Sequence, residues 1–148
     1  MMIRAPLAVV TLVAALFVSE PAEVAPLKEF IYEPDNAVVR SHLIADLARE
    51  VDATLVSREI AYLSSNVAID SPFMRGFRVI DEMAFDRKKL KAYLRDKNIG
   101  TLEIKKRGVD VVPEQLRKDL SLKGEIAATL ILTRIGDDHR ALIAEPLK

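Results

Sequence analysis

Leu102-Glu103-Ile104-Lys105-Lys106-Arg107-Gly108-Val109-Asp110 is the stretch that decides what this chain can be. Leu102 and Ile104 alternate with Glu103 and Lys105, the period of two that suits a half-buried strand. The strand runs into three consecutive cations and then Gly108. Pro113 next opens a predicted helix, Pro113–Leu120. A strand, a basic turn with a glycine and a helix start bring backbone N–H groups and cationic side chains to one edge. Such an edge suits phosphate oxygens. Lys105, Lys106, Arg107 and Gly108 are therefore phosphate-binding candidates, and a solvated turn is the alternative reading.

Downstream, Ile126–Ile135 and Arg140–Ala144 read as a hairpin, with Gly136-Asp137-Asp138 as turn chemistry. Upstream, Phe77–Met83 reads as a strand with Phe77, Val79 and Met83 facing one way. Asp86 can cap a helix over Arg87–Lys97. Leu90, Tyr93 and Leu94 make its narrow apolar seam, and Arg87, Lys88, Lys89, Lys91, Arg95 and Lys97 make the rest cationic. Asn98 or Gly100 can supply the left-handed turn that ends it. The order is β-α-β-α-β-β, an α+β unit over residues 72–148 with helices packed on one face of a small mixed sheet. Arg78, on a strand expected beside the basic one, and Lys88, at a helix start where cations oppose the helix dipole, join the candidate set. Aromatic residues are only 5% of the chain, so recognition by backbone and shape fits better than base stacking.

Residues 1–71 read as a partial α/β segment. Lys28–Tyr32 is a predicted strand. Asp35 caps a predicted helix reaching Val51, with Val38, Val39, Leu43, Ile44, Leu47 and Val51 as its apolar stripe. Arg40, Asp46, Arg49 and Glu50 fall on the wet face, and His42 lies on the helix. Ala53–Val56 and Ile60–Leu63 read as strands. Ser64–Pro72 reads as a polar connector, with a domain boundary near Ser71-Pro72. Met1–Val18 has two readings. One is a signal peptide with Arg4, an apolar run and a small-residue site at Ala22-Glu23-Val24-Ala25. The other is a pair of buried strands, Leu7–Val13 and Ala15–Ser19.

Several chemistries are excluded outright. The 148 residues contain no cysteine, so disulfides, thiolate metal sites and cysteine nucleophiles are absent. His42 and His139 have no partner at metal spacing, so no metal site is expected. Glu33 and Asp35 read as a local pair and a helix cap rather than an acid/base couple, and Ser64-Ser65 has no nearby base. The five glycines are too far apart for a G-x-G turn, so no cofactor-binding residue is expected. Net charge is zero, but residues 75–124 hold fourteen Lys and Arg against eight Asp and Glu, a net +6 balanced by −6 elsewhere. That asymmetry suits an anionic partner for the basic part.

Gly100-Thr101-Leu102-Glu103-Ile104-Lys105-Lys106-Arg107-Gly108-Val109-Asp110, then Pro113-Glu114-x-Leu116-Arg117, resembles the C-terminal THUMP-like domain of bacterial class I S-adenosylmethionine-dependent methyltransferases. Ala127–Arg134 resembles that domain's next strand. Tyr32-Glu33-Pro34-Asp35-x-Ala37-Val38-x-Arg40 and Ile60-Ala61-Tyr62-Leu63 resemble the ferredoxin-like segment joining it to the methyltransferase domain. The likeness runs from Phe30 to Pro146. One departure is Val112, where the family often has Asp or Ser, which removes a helix cap. The resemblance implies an RNA-binding or substrate-presenting module that is not catalytic alone. S-adenosylmethionine would bind a domain outside this chain, so no cofactor is expected here. The implied partners are that methyltransferase domain and RNA, in the cytoplasm and without a membrane. The alternatives are a structural module that packs on the methyltransferase domain without touching nucleic acid, and an exported protein of unknown role.

Overall fold

The computed structural model describes Ile3–Arg4 and residues 20–148. Apart from Ile3–Arg4, the readings of Met1–Val18 lie outside the described residues. The fold is α+β. The chain divides into two compact units, residues 1–78 with 146–148, and residues 79–145. Among the described residues no helix is long and apolar enough to cross a membrane.

In the first unit, β1 (Ile3–Arg4) pairs in parallel with β5 (Ile69–Asp70). β2 (Phe30–Pro34), β3 (Thr54–Ser57), β4 (Ile60–Ser65) and the first residues of β6 (Met74–Ala84) lie in the order β3-β4-β2-β6. All three pairings are antiparallel. Phe30, Tyr32, Leu55, Leu63 and Met74 pack there against Val38, Leu47 and Val51 of α1 (Asn36–Arg40) and α2 (Ile44–Val51).

The single helix expected between Asp35 and Val51 is broken. His42 has φ 57°, and its N–H and that of Leu43 donate back to Val39 and Val38. That is a Schellman ending with histidine at the left-handed position usually given to glycine. The break turns α2, so Asp46 is not on the wet face. It is 4% exposed, and Arg49 meets its carboxylate at 3.1 Å. Nor is Ser64–Pro72 a polar connector throughout, because Ser64 and Ser65 complete β4 and are buried. The Ser64 hydroxyl donates to the Phe30 carbonyl at 2.7 Å. Ser65 meets the Tyr32 hydroxyl, which also accepts the Ile69 N–H. These serines hold strands together.

In the second unit the order of elements is the end of β6, α3 (Arg87–Asp96), β7 (Ile99–Lys106), α4 (Pro113–Leu120), β8 (Ile126–Ile135) and β9 (Asp138–Pro146). The sheet order is β6-β9-β8-β7, with β7 and β8 parallel and β8 and β9 antiparallel. Leu90 and Leu94 of α3 and Leu116 and Leu120 of α4 are buried with Leu102, Leu130, Leu132 and Ile143, so both helices cover one face. Asp86 caps α3 by accepting the Lys89 N–H at 3.0 Å. In the β8–β9 hairpin only Gly136, the first of two turn residues, has positive φ, the pattern of a type II′ turn.

Candidate nucleic-acid interface

β7 is the outer strand of the second unit. Its parallel ladder with β8 pairs Lys105 with Ile131 and Lys106 with Leu132. The Arg107 N–H continues it to the Leu132 carbonyl at 3.0 Å, one residue past the strand. Backbone hydrogen bonds thus place the whole basic run. Gly108 turns the chain with φ 75°, a value that favours glycine. Val109 and Val111 are buried in the helix-covered core and tie the loop down. α4 starts at Pro113 with Val112 at the capping position and no side-chain cap. Proline at the first position fixes the helical φ, and its missing N–H would have had no helical partner there.

The pleat divides the cations. Leu102 and Ile104 face the helices, so Glu103 and Lys105 point to the other face and Lys106 returns to the helix side. The Lys105 side chain is only 16% exposed and stands 3.4 Å from Glu103. Lys106 is exposed and Arg107 half-buried. Arg117, which the sequence did not single out for this edge, donates to the Leu102 carbonyl at 3.2 Å and pairs with Glu114. Its four-residue offset from Pro113 was the available signal.

The other candidates lie elsewhere. Two strands, β9 and β8, lie between β6 and β7 in the sheet order, so β6 does not run beside the basic strand as expected. Arg78 belongs to the first unit, where it stands 3.6 Å from Glu29 and 5.4 Å over the Phe30 ring. Lys88 is exposed on the first turn of α3. Its neighbours Arg87 and Lys91 reach Asp119 of α4.

Gly108 is the one glycine between β7 and α4, so that turn is not glycine-rich. Among the described residues no group of three or more His, Cys, Asp or Glu could hold a metal. His42 ends a helix and His139 stands exposed in the β8–β9 hairpin.

Residues 74–146 match the family model described as THUMP domain-like. Two strains of Mycobacterium tuberculosis, CDC 1551 and H37Rv, carry similar proteins, each named an uncharacterized S-adenosylmethionine-dependent methyltransferase. Each is 36% identical over 113 residues, which is 76% of this chain and 31% of the relative. The chain therefore spans about a third of the length of these relatives. A crystal structure of a proposed methyltransferase from Porphyromonas gingivalis W83 superposes with a TM-score of 0.66 at 20% identity. That superposition covers 86% of this chain and 31% of the other, and it speaks to the fold. Residues 74–146 of this chain belong to the THUMP domain-like family.

Proposed function

We propose that this chain is an RNA-binding, substrate-presenting module of an S-adenosylmethionine-dependent methyltransferase and works in the cytoplasm. The basic run at the end of β7 carries the reading. Lys105, Lys106 and Arg107 lie at a ladder-fixed strand end before a glycine turn, in a region of net charge +6. The relatives' names supply the reaction class, and their greater length leaves room for a separate cofactor-binding domain. The test is RNA binding across a salt series by the chain and by its Lys105→Ala/Lys106→Ala/Arg107→Ala variant, with circular dichroism as a folding control. Wild-type affinity should fall steeply with salt, and the variant's slope should be shallower by up to about three phosphate contacts. Equal affinities and slopes in two folded proteins would reject the reading.

A second reading is a module that packs on the methyltransferase domain without contacting RNA. The exposed isoleucines Ile80 and Ile126, 53% and 51% accessible, favour it. They line one groove of about 460 Å³ in the second unit, together with Tyr93, Ala127 and Ala128. Exposed apolar surface within a groove suits a protein partner.

A further inference from the structure

The start of β7 carries a second concentration of positive charge, at the far end of the strand from the Lys105–Arg107 run. A cavity of about 440 Å³ opens there between the ends of α3 and α4, lined by Arg95, Asn98, Ser121, Lys123 and Gly124 among others, with no carboxylate in its wall. The volume lies in the range of small-ligand sites. Arg49, Arg78, Arg87, Lys105, Arg117 and Arg140 each stand beside an acidic side chain. Arg95 and Lys123 have no such partner among the described residues, and the Asn98 amide has no hydrogen-bond partner there either. Asn98 and Ser121 both have left-handed backbones, φ 57° and 46°, which turn the two chain segments away from their helices. The Ser121 hydroxyl is already spent on the Lys118 carbonyl.

Two helix C-termini point toward this cavity, and their dipoles oppose an anion. Each contributes about half a negative charge, so two helices offset only about one of the two full positive charges. The terminal carbonyls are also occupied, since Tyr93, Arg95 and Arg117 accept the N–H groups of Lys97, Asn98 and Ser121. Among the lining residues the balance remains positive, with Asp96 and Glu125 next to the wall in sequence but not part of it, and the site is concave, which focuses their field. We infer that this cavity binds a phosphoryl group, held by the Arg95 guanidinium, the Lys123 ammonium and the Asn98 amide. The inference does not depend on the β7 basic run, because the two sites share no residue. The group could come from a free nucleotide or from the terminal phosphate of a nucleic acid.

The probes are adenosine 5′-monophosphate, adenosine, and one RNA oligonucleotide with and without a 5′-phosphate. They are titrated into the full chain and into the Arg95→Gln/Lys123→Gln variant, with circular dichroism as a folding control. Adenosine 5′-monophosphate should bind at least tenfold more tightly than adenosine, and the double variant should lose that advantage. The Lys105/Lys106/Arg107 alanine variant should keep it. A 5′-phosphate preference in the RNA that the double variant abolishes identifies the nucleic-acid source. Preference confined to the mononucleotide identifies the free ligand. No phosphate-dependent binding, or binding unchanged in a folded double variant, overturns the inference.

Discussion

Gly100 and Gly124 cross with their backbones in contact. A Cβ on Gly100 would overlap the Gly124 carbonyl, and a Cβ on Gly124 would overlap the Asn98 carbonyl. The crossing lets β7 and β8 begin side by side, with the Ile126 N–H donating to Asn98 at 2.9 Å. Both obstacles are backbone, so no flexible side chain can yield. Gly100→Ala and Gly124→Ala should each destabilise the second unit by about 3 kcal/mol. Gly136→Ala meets nothing within 4 Å and violates only a positive φ of 60°. It should cost about 1 kcal/mol. Urea denaturation of the three variants gives the order, and equal losses would contradict the crossing.

Each of the four helices in the described residues ends at or next to a non-glycine residue with positive φ: His42, Asp52, Asn98 and Ser121. A side chain in that region is less favourable than glycine by about 1–2 kcal/mol, partly offset by the greater freedom of glycine in the unfolded chain. His42 is exposed, and only its backbone is needed for the turn. His42→Gly should therefore raise stability by about 0.5–1 kcal/mol. A lower unfolding midpoint for this variant would mean that the histidine side chain itself holds the α1–α2 joint.

Those four endings also explain where the sequence could and could not be read. Asn98 was foreseen because asparagine is a familiar substitute for glycine. His42 was not, so the apolar stripe appeared continuous through it, and Asp46 was placed on the wrong face. The second unit was more legible because its signals are local. Leu90 and Leu94 recur at helical spacing, Asp86 precedes a helix, and Pro113 opens one. Gly100 was legible as a glycine, but its function was not, since the crossing with Gly124 joins residues 24 apart. The basic run lies where the ladder was expected to put it. Its division between two faces and the ion pair at Lys105 depend on the side-chain environment, which periodicity only partly encodes.

α3 should depend almost wholly on two leucines. Leu90 and Leu94 are fully buried, while the helix around them is mostly charged. Leu90→Ala or Leu94→Ala should cost about 2–5 kcal/mol, a large part of a small domain's stability. Lys91→Ala should cost under about 0.5 kcal/mol, since its one polar contact is a 3.4 Å hydrogen bond at the surface. Thermal unfolding separates these cases, and similar midpoints for all three would misplace the helix.

Acid should weaken the start of α3 through Asp86. Its carboxyl pKa is lowered, chiefly because the carboxylate accepts the Lys89 N–H, with help from the adjacent lysine charges. A folded pKa below the unfolded one gives stability that is present above the ordinary carboxylate range. That stability is lost as pH falls through the depressed value. Asp86→Asn keeps a capping oxygen but removes the titration. The wild type should be the more stable at neutral pH, and the difference should vanish in acid. Denaturation midpoints of both proteins across that range provide the check, and a constant difference would remove Asp86 as its source.

The division of cations at the end of β7 makes the RNA reading testable residue by residue. Lys106 is exposed on the helix side, whereas Lys105 is 16% exposed on the other face and already beside Glu103. A cation with a carboxylate neighbour has less net attraction to offer a phosphate. Lys106→Ala should therefore flatten the salt dependence of RNA binding by about one contact. Lys105→Ala should change it less. Glu103→Gln removes the competing charge and should tighten RNA binding, by a factor of about two to five if the relief is about 0.4–1 kcal/mol, the scale of an exposed ion pair. Anisotropy titrations at several salt concentrations would measure all three variants. If Lys105→Ala proves the more damaging and Glu103→Gln has no effect, the phosphate lies on the face opposite the helices, and Glu103 orients Lys105 rather than competing for it.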